Sequence, residues 1–236
     1  MTLWYKYWRE TRVRLMCGVC ALGWICAVII LFQEHAGNAG TRPMTFVSYV
    51  WNAVYKDYVR NLFVILVIVL GGGSLVQEAA HGTSGFTLAL PITRSRLLAT
   101  RVSVGLAEVI LLAFIPGIVI VACSAFVGQQ YPVDQGVKLG VLWVGAGVLV
   151  FAIAQLLSAL VANEYVAWVG AFLVVMLYEA VVNVTSLNRS PTLDLFHLMS
   201  GTGTTYFDAT KNMIVGPLPW VTLGGILALS VTVLLV

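Results

Sequence analysis

Residues 137–161 read VKLGVLWVGAGVLVFAIAQLLSALV, an apolar run in which Lys138 is the one charged residue. A helix needs about 20 predominantly apolar residues to cross about 30 Å of bilayer hydrocarbon. A transmembrane β-strand would instead alternate polar and apolar residues over about 10 positions, which this run does not do. The run therefore predicts a membrane-spanning helix.

Similar apolar runs recur along the chain and predict an all-α integral membrane protein, with one transmembrane domain over residues 1–236. The six predicted spans are residues 15–32, 61–77, 97–127, 137–161, 165–184 and 220–236. The second is expected to extend outward through the aromatic stretch 45–58. The composition agrees with this class, since 60% of the residues are hydrophobic and only 10% are charged, against about 25% charged in a soluble domain.

The first residues predict a short amphipathic helix ahead of the first span. Trp4, Tyr7 and Trp8 share one helical face, and Lys6 lies opposite them. Residues 1–14 are therefore expected to form an interfacial helix with its aromatic rings at the headgroup level, the alternative being a frayed start of the first span. A secretory signal peptide fits less well, because five further apolar segments follow and the first run is long enough to remain as a span.

Basic residues set the expected orientation. If the N-terminus is cytoplasmic, the inner basic residues form short clusters beside span ends, such as Arg94 and Arg96, while several outer ones lie in longer loops that count for less. This predicts a multi-pass protein of the plasma (inner) membrane with a long extracytoplasmic loop at residues 185–219. A loop of that length with apolar content is expected to carry short helices packed on the bundle. The basic residues form no single patch, so nucleic acid is not an expected partner.

Residues 77–101, QEAAHGTSGFTLALPITRSRLLATR, lie between the second and third spans on the predicted inner side. Glu78 ends the second span, Gly82 breaks the helix, and Thr83 or Ser84 can cap a new helix by accepting a backbone N–H. The loop 78–96 therefore predicts a short cytoplasmic helix between two spans. The apolar side chains of this helix, which need a surface to bury against, are Phe86, Leu88 and Leu90.

This segment resembles the cytoplasmic loop of the permeases of type-two ABC exporters. In that family a Glu closes the second span, a Gly-Thr follows, and a Leu-x-x-Pro-(Val/Ile)-(Ser/Thr)-Arg run opens the third span. The matching residues in this sequence are Glu78, Gly82, Thr83, Leu88, Pro91, Ile92, Thr93, Arg94 and Leu97. The six-span layout, the amphipathic N-terminal helix and the long loop before the last span also fit the family.

The resemblance implies a permease subunit that forms the substrate path with a second copy or a paralogue and docks two copies of a separate ABC ATPase. ATP and Mg²⁺ would be bound by that ATPase. The present sequence has no G-x-x-x-x-G-K-(S/T) loop to hold phosphates, so neither enzymatic activity nor a metal or cofactor of its own is expected. The coupling residues implied by the resemblance are Glu78, Gly82, Thr83, Phe86, Leu88, Leu90, Pro91 and Arg94.

Two carboxylates inside predicted spans are further candidates, because an ionisable group at membrane depth is costly and commonly functional. Glu108, in the third span, is expected mainly to be structural, either through a hydrogen bond to a neighbouring helix or through a shallow position near the interface. Glu179 lies in the fifth span with Tyr178 and Asn183 nearby. Two roles are equally expected for it, lining the substrate path and packing between helices. The apolar spans favour an amphipathic or lipophilic cargo.

Two other classes of function stay open. A non-transporting membrane sensor or assembly protein would also carry a cytoplasmic loop that binds a partner. Residues 82–85 match the G-x-S-G of intramembrane serine proteases, but Ser84 is expected in a cytoplasmic loop and has no His on a facing span to act as a base. Cys17 and Cys20 form a C-x-x-C inside an apolar helix, where they are expected to behave as small hydrophobic side chains.

Overall fold

The computed structural model describes residues 2–32, 45–72, 94–161, 163–184, 194–204 and 206–235. Its α-helices are α1 (Thr2–Leu31), α2 (Phe46–Val50), α3 (Tyr58–Gly72), α4 (Arg94–Phe126), α5 (Val133–Leu160), α6 (Glu164–Val184), α7 (Leu195–Ser200) and α8 (Trp220–Leu235). A π-helical segment, Trp51–Lys56, follows α2 directly. Two short strands, β1 (Phe207–Asp208) and β2 (Met213–Ile214), pair antiparallel.

Four of these helices, α1, α4, α5 and α6, are long and apolar enough to cross a membrane. The two other predicted spans coincide with α3 and α8, which are apolar helices of 15 and 16 residues. The all-α membrane class is therefore confirmed, whereas the count of six spans stays a prediction. The loop 78–96 lies largely outside the described residues, so the helix expected there also stays a prediction.

The N-terminal region corrects one expectation. Residues 2–14 do not form a separate helix, because α1 continues without a break into the first span. These first turns lie along α4: Trp4 Nε1 donates to Ser103 Oγ over 3.1 Å, and Thr11 Oγ1 donates to Glu108 Oε1. The polar and aromatic face that predicted an interfacial helix therefore packs partly against a neighbouring helix.

Helix α5 is the centre of the bundle. In its most apolar stretch 72% of the residues are buried, against 22–33% in the other three long helices, and it contacts α3, α4, α6, α7 and α8. Small residues allow this close packing: a Cβ added to Gly117 of α4 would lie 3.3 Å from the carbonyl oxygen of Gly136 in α5. Approach of backbones through small residues is a common way for helices to associate in membranes.

The aromatic stretch 45–58 does not extend the second span as one continuous helix. It forms α2 and the π-helical segment, and the chain turns at Asp57, whose φ and ψ are −116° and −99°. The π-helical turn directs Trp51, Val54 and Tyr55 into the protein core, where all three are buried. This stretch is thus a separate element at the end of the bundle.

We call this end of the bundle the capped end, because α2, the π-helical segment, α7 and the β-hairpin lie together there. Gln135 at the start of α5 exchanges two hydrogen bonds with the backbone of Ile214, of 2.9 and 3.0 Å. Asn212 Nδ2 donates to Ser48 Oγ over 2.6 Å and so joins the hairpin to α2. The predicted loop 185–219 therefore does carry elements packed on the bundle.

The hairpin turn is closed locally by Asp208. The hydroxyl and the backbone N–H of Thr210 both donate to Asp208 Oδ1, over 2.6 and 2.9 Å. These bonds stabilise the ionised carboxylate and lower the pKa of Asp208 below its ordinary value.

Candidate functional site

Helix α7 is fixed to the bundle through carbonyl groups that the helix itself cannot satisfy. The last carbonyls of any helix lack partners within it. In α7, Trp143 Nε1 of α5 donates to the carbonyl of Met199 over 3.0 Å, and Trp51 Nε1 donates to that of Ser200 over 2.7 Å. Both indole rings are buried. The two tryptophans therefore hold α7 in one position between α5 and the π-helical segment.

The first turn of α7 carries a carboxylate–imidazole pair. Asp194 Oδ1 accepts a 2.8 Å hydrogen bond from the backbone N–H of His197 and so caps the helix. Asp194 Oδ2 lies 2.5 Å from His197 Nδ1. The carboxylate side chain is buried at 2% exposure, whereas the imidazole is 49% exposed. Asp194 thus engages Nδ1 and leaves Nε2 of the imidazole for another partner.

Arg60, in the first turn of α3, faces the same helix. Its Nη1 donates to the carbonyl oxygen of Phe196 over 3.2 Å, and its guanidinium carbon lies 4.7 Å from the centroid of the Phe196 ring. A cation at a helix N-terminus is disfavoured by the helix dipole, so this position needs support from nearby groups. The carboxylates of Glu179, Asp57 and Asp194 supply it electrostatically.

A cavity of about 360 Å³ lies beside Arg60 and His197 at the capped end. The cavity lies between the π-helical segment, the start of α3, the last turns of α6, and α7. Two aromatic rings, those of Trp51 and Phe196, form part of its wall. Its charged and titratable side chains are Lys56, Asp57, Arg60, Glu179 and His197. We call this cavity the charged pocket.

The charged pocket contains one of the residues predicted to line the substrate path. Glu179 lies in its wall, and Tyr178 is 40% exposed on the neighbouring position of α6. Asn183 belongs to the last turn of α6, but its side chain is outside the described residues. A role of these three residues in transport is not tested by the geometry and stays a prediction.

The predicted coupling residues fall almost wholly outside the described part of the chain. Arg94 is the first residue of α4, although its side chain is not described. The others lie in the undescribed range 73–93 and are Glu78, Gly82, Thr83, Phe86, Leu88, Leu90 and Pro91.

The structure also reveals pocket residues that were not singled out as functional from the sequence. Lys56 and Arg60 counted only as outer basic residues, and His197 only as a loop histidine. They lie far from Glu179 in the sequence, so spacing alone could not bring them together. The one local signal was the close succession of opposite charges at Lys56, Asp57 and Arg60 beside a span.

Glu108, the other carboxylate inside a predicted span, lies away from the charged pocket. It is 3% exposed between α4 and α1, where Thr11 donates to its Oε1. This contact supports the expectation that Glu108 bonds a neighbouring helix.

Comparison with known proteins identifies the family. Residues 23–206 match the family model described as ABC-2 family transporter protein. No curated protein and no solved structure matches the chain significantly. Together with the four helices long enough to span a membrane, the match makes this chain a multi-pass membrane permease of an ABC transporter, a class that works with an ABC ATPase. The chain therefore belongs to the ABC-2 family of transporter proteins.

Proposed function

We propose that this chain is the permease subunit of an ATP-driven exporter, forming the substrate path with a second permease. The observation that carries this proposal is the family match over residues 23–206. Binding and hydrolysis of ATP with Mg²⁺ take place in two separate ATPase subunits. Transport is directed outward, as the resemblance to type-two exporters implies.

The ATPases act on the permease through the loop 78–96. Helix α3 ends at Gly72 and α4 begins at Arg94, so this loop joins two neighbouring helices at the end opposite the capped end. The contact of Gly72 with Trp168, near the start of α6, supports this position. A short helix there, with Phe86, Leu88 and Leu90 on its apolar side, docks into a groove of the ATPase.

The mechanism we propose is alternating access. ATP draws the two ATPases together, and the docked loop shifts α3 and α4 at their inner ends. The pair of permeases then changes from one packing arrangement to another and opens the path outward, and hydrolysis resets it. In this scheme Tyr178, Glu179 and Asn183 line the outer part of the path.

The test is to purify the tagged protein in mild detergent from its native membrane and to identify co-purifying proteins. A second sample carries Leu88→Asp with Leu90→Asp, which would place two charges on the docking surface. A matched control carries Leu88→Met with Leu90→Met, which keeps that surface apolar. We expect an ABC ATPase to co-purify with the wild type and the control and to be lost from the Asp variant.

The thermal unfolding midpoint of each purified variant shows whether the permease is still folded. A monodisperse, folded wild-type protein that carries no ATPase would contradict the proposal. It would favour instead a membrane sensor or assembly protein that uses the same loop to bind a different partner.

A further inference from the structure

The charged pocket carries both signs of charge in one small volume. Lys56 and Arg60 supply cations, and Asp57 and Glu179 supply carboxylates, within a cavity of about 360 Å³. Pockets for small ligands have volumes of about 300–1,000 Å³ and orient their ligand with a few polar groups. A ligand of one charge would meet repulsion from half of this set, so the lining favours a ligand that carries both charges.

Arg60 is the group best placed to hold the anionic part of such a ligand. It lines the charged pocket. Nη1 is engaged by the Phe196 carbonyl, and the Phe196 ring supports the guanidinium plane. A guanidinium has five N–H donors in a planar fork that matches phosphate and carboxylate oxygens. Lys56 adds a second cation, with its Nζ 5.7 Å from the centroid of the Trp51 ring.

The opposite part of the pocket suits an ammonium group. Glu179 and Asp57 offer carboxylate oxygens, and an ionised carboxylate accepts hydrogen bonds but donates none. His197 adds a ring nitrogen, because Asp194 engages Nδ1 and leaves Nε2 for another partner. An ammonium group has three donors and could use acceptors of this kind.

Two cations in the pocket lining favour a phosphate over a carboxylate as the anionic group. A carboxylate has two oxygens, and the guanidinium fork of Arg60 can engage both of them. A phosphate has further oxygens for the second cation, Lys56, which lines the same pocket.

We propose that the charged pocket binds a zwitterion that carries a phosphate and a primary ammonium group. Arg60 and Lys56 bind the phosphate, and Glu179 and Asp57 bind the ammonium. The inference builds on the proposed function, in which Glu179 belongs to the substrate path. Binding can nevertheless be measured on the permease alone, so its failure is distinguishable from failure to associate with an ATPase.

The first experiment is calorimetric titration of the purified permease in detergent with glycerophosphoethanolamine, a soluble zwitterionic headgroup. Dimethyl phosphate and ethanolamine serve as probes of each charge alone. We expect the zwitterion to bind at least about tenfold more tightly than either single-charge probe. Each of those probes lacks one charged group and therefore makes only one of the two sets of charge-assisted hydrogen bonds. If dimethyl phosphate binds as tightly as glycerophosphoethanolamine, the proposal is overturned and the pocket is a simple anion site.

Variants then locate the binding. Arg60→Gln and Glu179→Gln should each weaken zwitterion binding at least about tenfold, and the exposed Lys56→Gln should weaken it less. Lys211→Gln and Asp134→Asn, which remove exposed charges of the capped end outside the pocket, should leave it unchanged. Thermal unfolding of each variant controls for folding, and Lys56→Gln keeps the test decisive if Arg60→Gln does not fold. Undiminished binding in all three pocket variants would refute the assignment.

A second arm distinguishes a lipid from a free zwitterion. The permease is reconstituted in nanodiscs of equal phosphatidylethanolamine and phosphatidylglycerol, extracted in detergent, and analysed for retained lipid by mass spectrometry. Enrichment of phosphatidylethanolamine that disappears in Arg60→Gln identifies the lipid headgroup as the ligand. Soluble binding without such enrichment identifies a free zwitterion. Absence of both would overturn the proposal.

Discussion

Gly71 and Gly224 lie in two apolar helices, but only Gly71 is pressed against a neighbour. A Cβ added to Gly71 would lie 2.7 Å from Ala154 Cβ and 3.1 Å from the carbonyl oxygen of Phe151 in α5. A Cβ added to Gly224 would meet nothing within 4 Å. The same substitution should therefore have opposite effects at these two positions.

We expect Gly71→Ala to destabilise the protein by about 1–3 kcal/mol, because α3 and α5 must separate to admit the methyl group. Gly224→Ala should be neutral or stabilising by up to about 1 kcal/mol, because Ala favours a helix more than Gly does. Thermal unfolding of both variants in the same detergent measures the difference. A similar fall in the unfolding midpoint for both would contradict the close packing of α3 on α5.

Residue identity alone revealed only part of the charged pocket. Glu179 could be singled out from the sequence because a carboxylate inside an apolar run is costly. Arg60 and Lys56 could not, since basic residues beside a span are ordinary anchors. Their association with Glu179 and His197 depends on the positions of α6 and α7, which no local pattern specifies.

At the level of single elements, α7 shows how a short helix can be held in place by its carbonyl groups. It has only 6 residues, and isolated helices shorter than about 12–15 residues are marginal in water. Its stability must come from contacts with the bundle, among them the indole hydrogen bonds from Trp51 and Trp143.

We predict that Trp143→Phe destabilises the protein by about 1–3 kcal/mol, since it leaves the buried Met199 carbonyl without its donor. Trp24→Phe is the matched control, because Trp24 is 73% exposed on α1 and should change stability little. Limited proteolysis of residues 194–219 should also become faster in Trp143→Phe. Equal stability and equal cleavage in the two variants would show that the indole bond does not hold α7.

The apolar runs predicted the long helices well because hydrophobic length is a local property. The bounds of α4, α5, α6 and α8 lie within a few residues of the predicted spans. The separate helix over residues 1–14 was wrong because an aromatic and polar face has the same period whether it meets headgroups or another helix. The π-helical segment was missed because its burial depends on α5 and α7, both remote in sequence.

For the whole molecule, the positive-inside rule predicts a cytoplasmic N-terminus, which sets the side of the membrane on which the capped end lies. The hairpin, α2 and α7 lie at that end, and the short connection between α5 and α6 lies at the other. If the N-terminus is cytoplasmic, the capped end faces outward.

We predict that Lys211→Cys, in the hairpin turn, reacts with a membrane-impermeant maleimide in intact cells. Asn163→Cys, in the exposed connection between α5 and α6, should react only after permeabilisation. Both variants are made in a background with Cys17, Cys20, Cys26 and Cys123 replaced by Ala. The reverse labelling pattern would invert the proposed topology and would place the loop 78–96 on the wrong side for a cytoplasmic ATPase.

In the proposed mechanism, ATP bound by a partner moves this chain. The most direct measurement uses Leu177→Cys, an exposed position on α6, spin-labelled in the same cysteine-free background. The permease complex with its ATPase is placed in nanodiscs, and the distance between the labels of two copies is measured by pulsed electron paramagnetic resonance. We predict a shift of this distance between the nucleotide-free state and the state with ATP and vanadate. The variant with Leu88→Asp and Leu90→Asp, which should no longer bind the ATPase, should give the same distance under both conditions. The same distance in both nucleotide states, in a complex that hydrolyses ATP, would contradict the proposed mechanism.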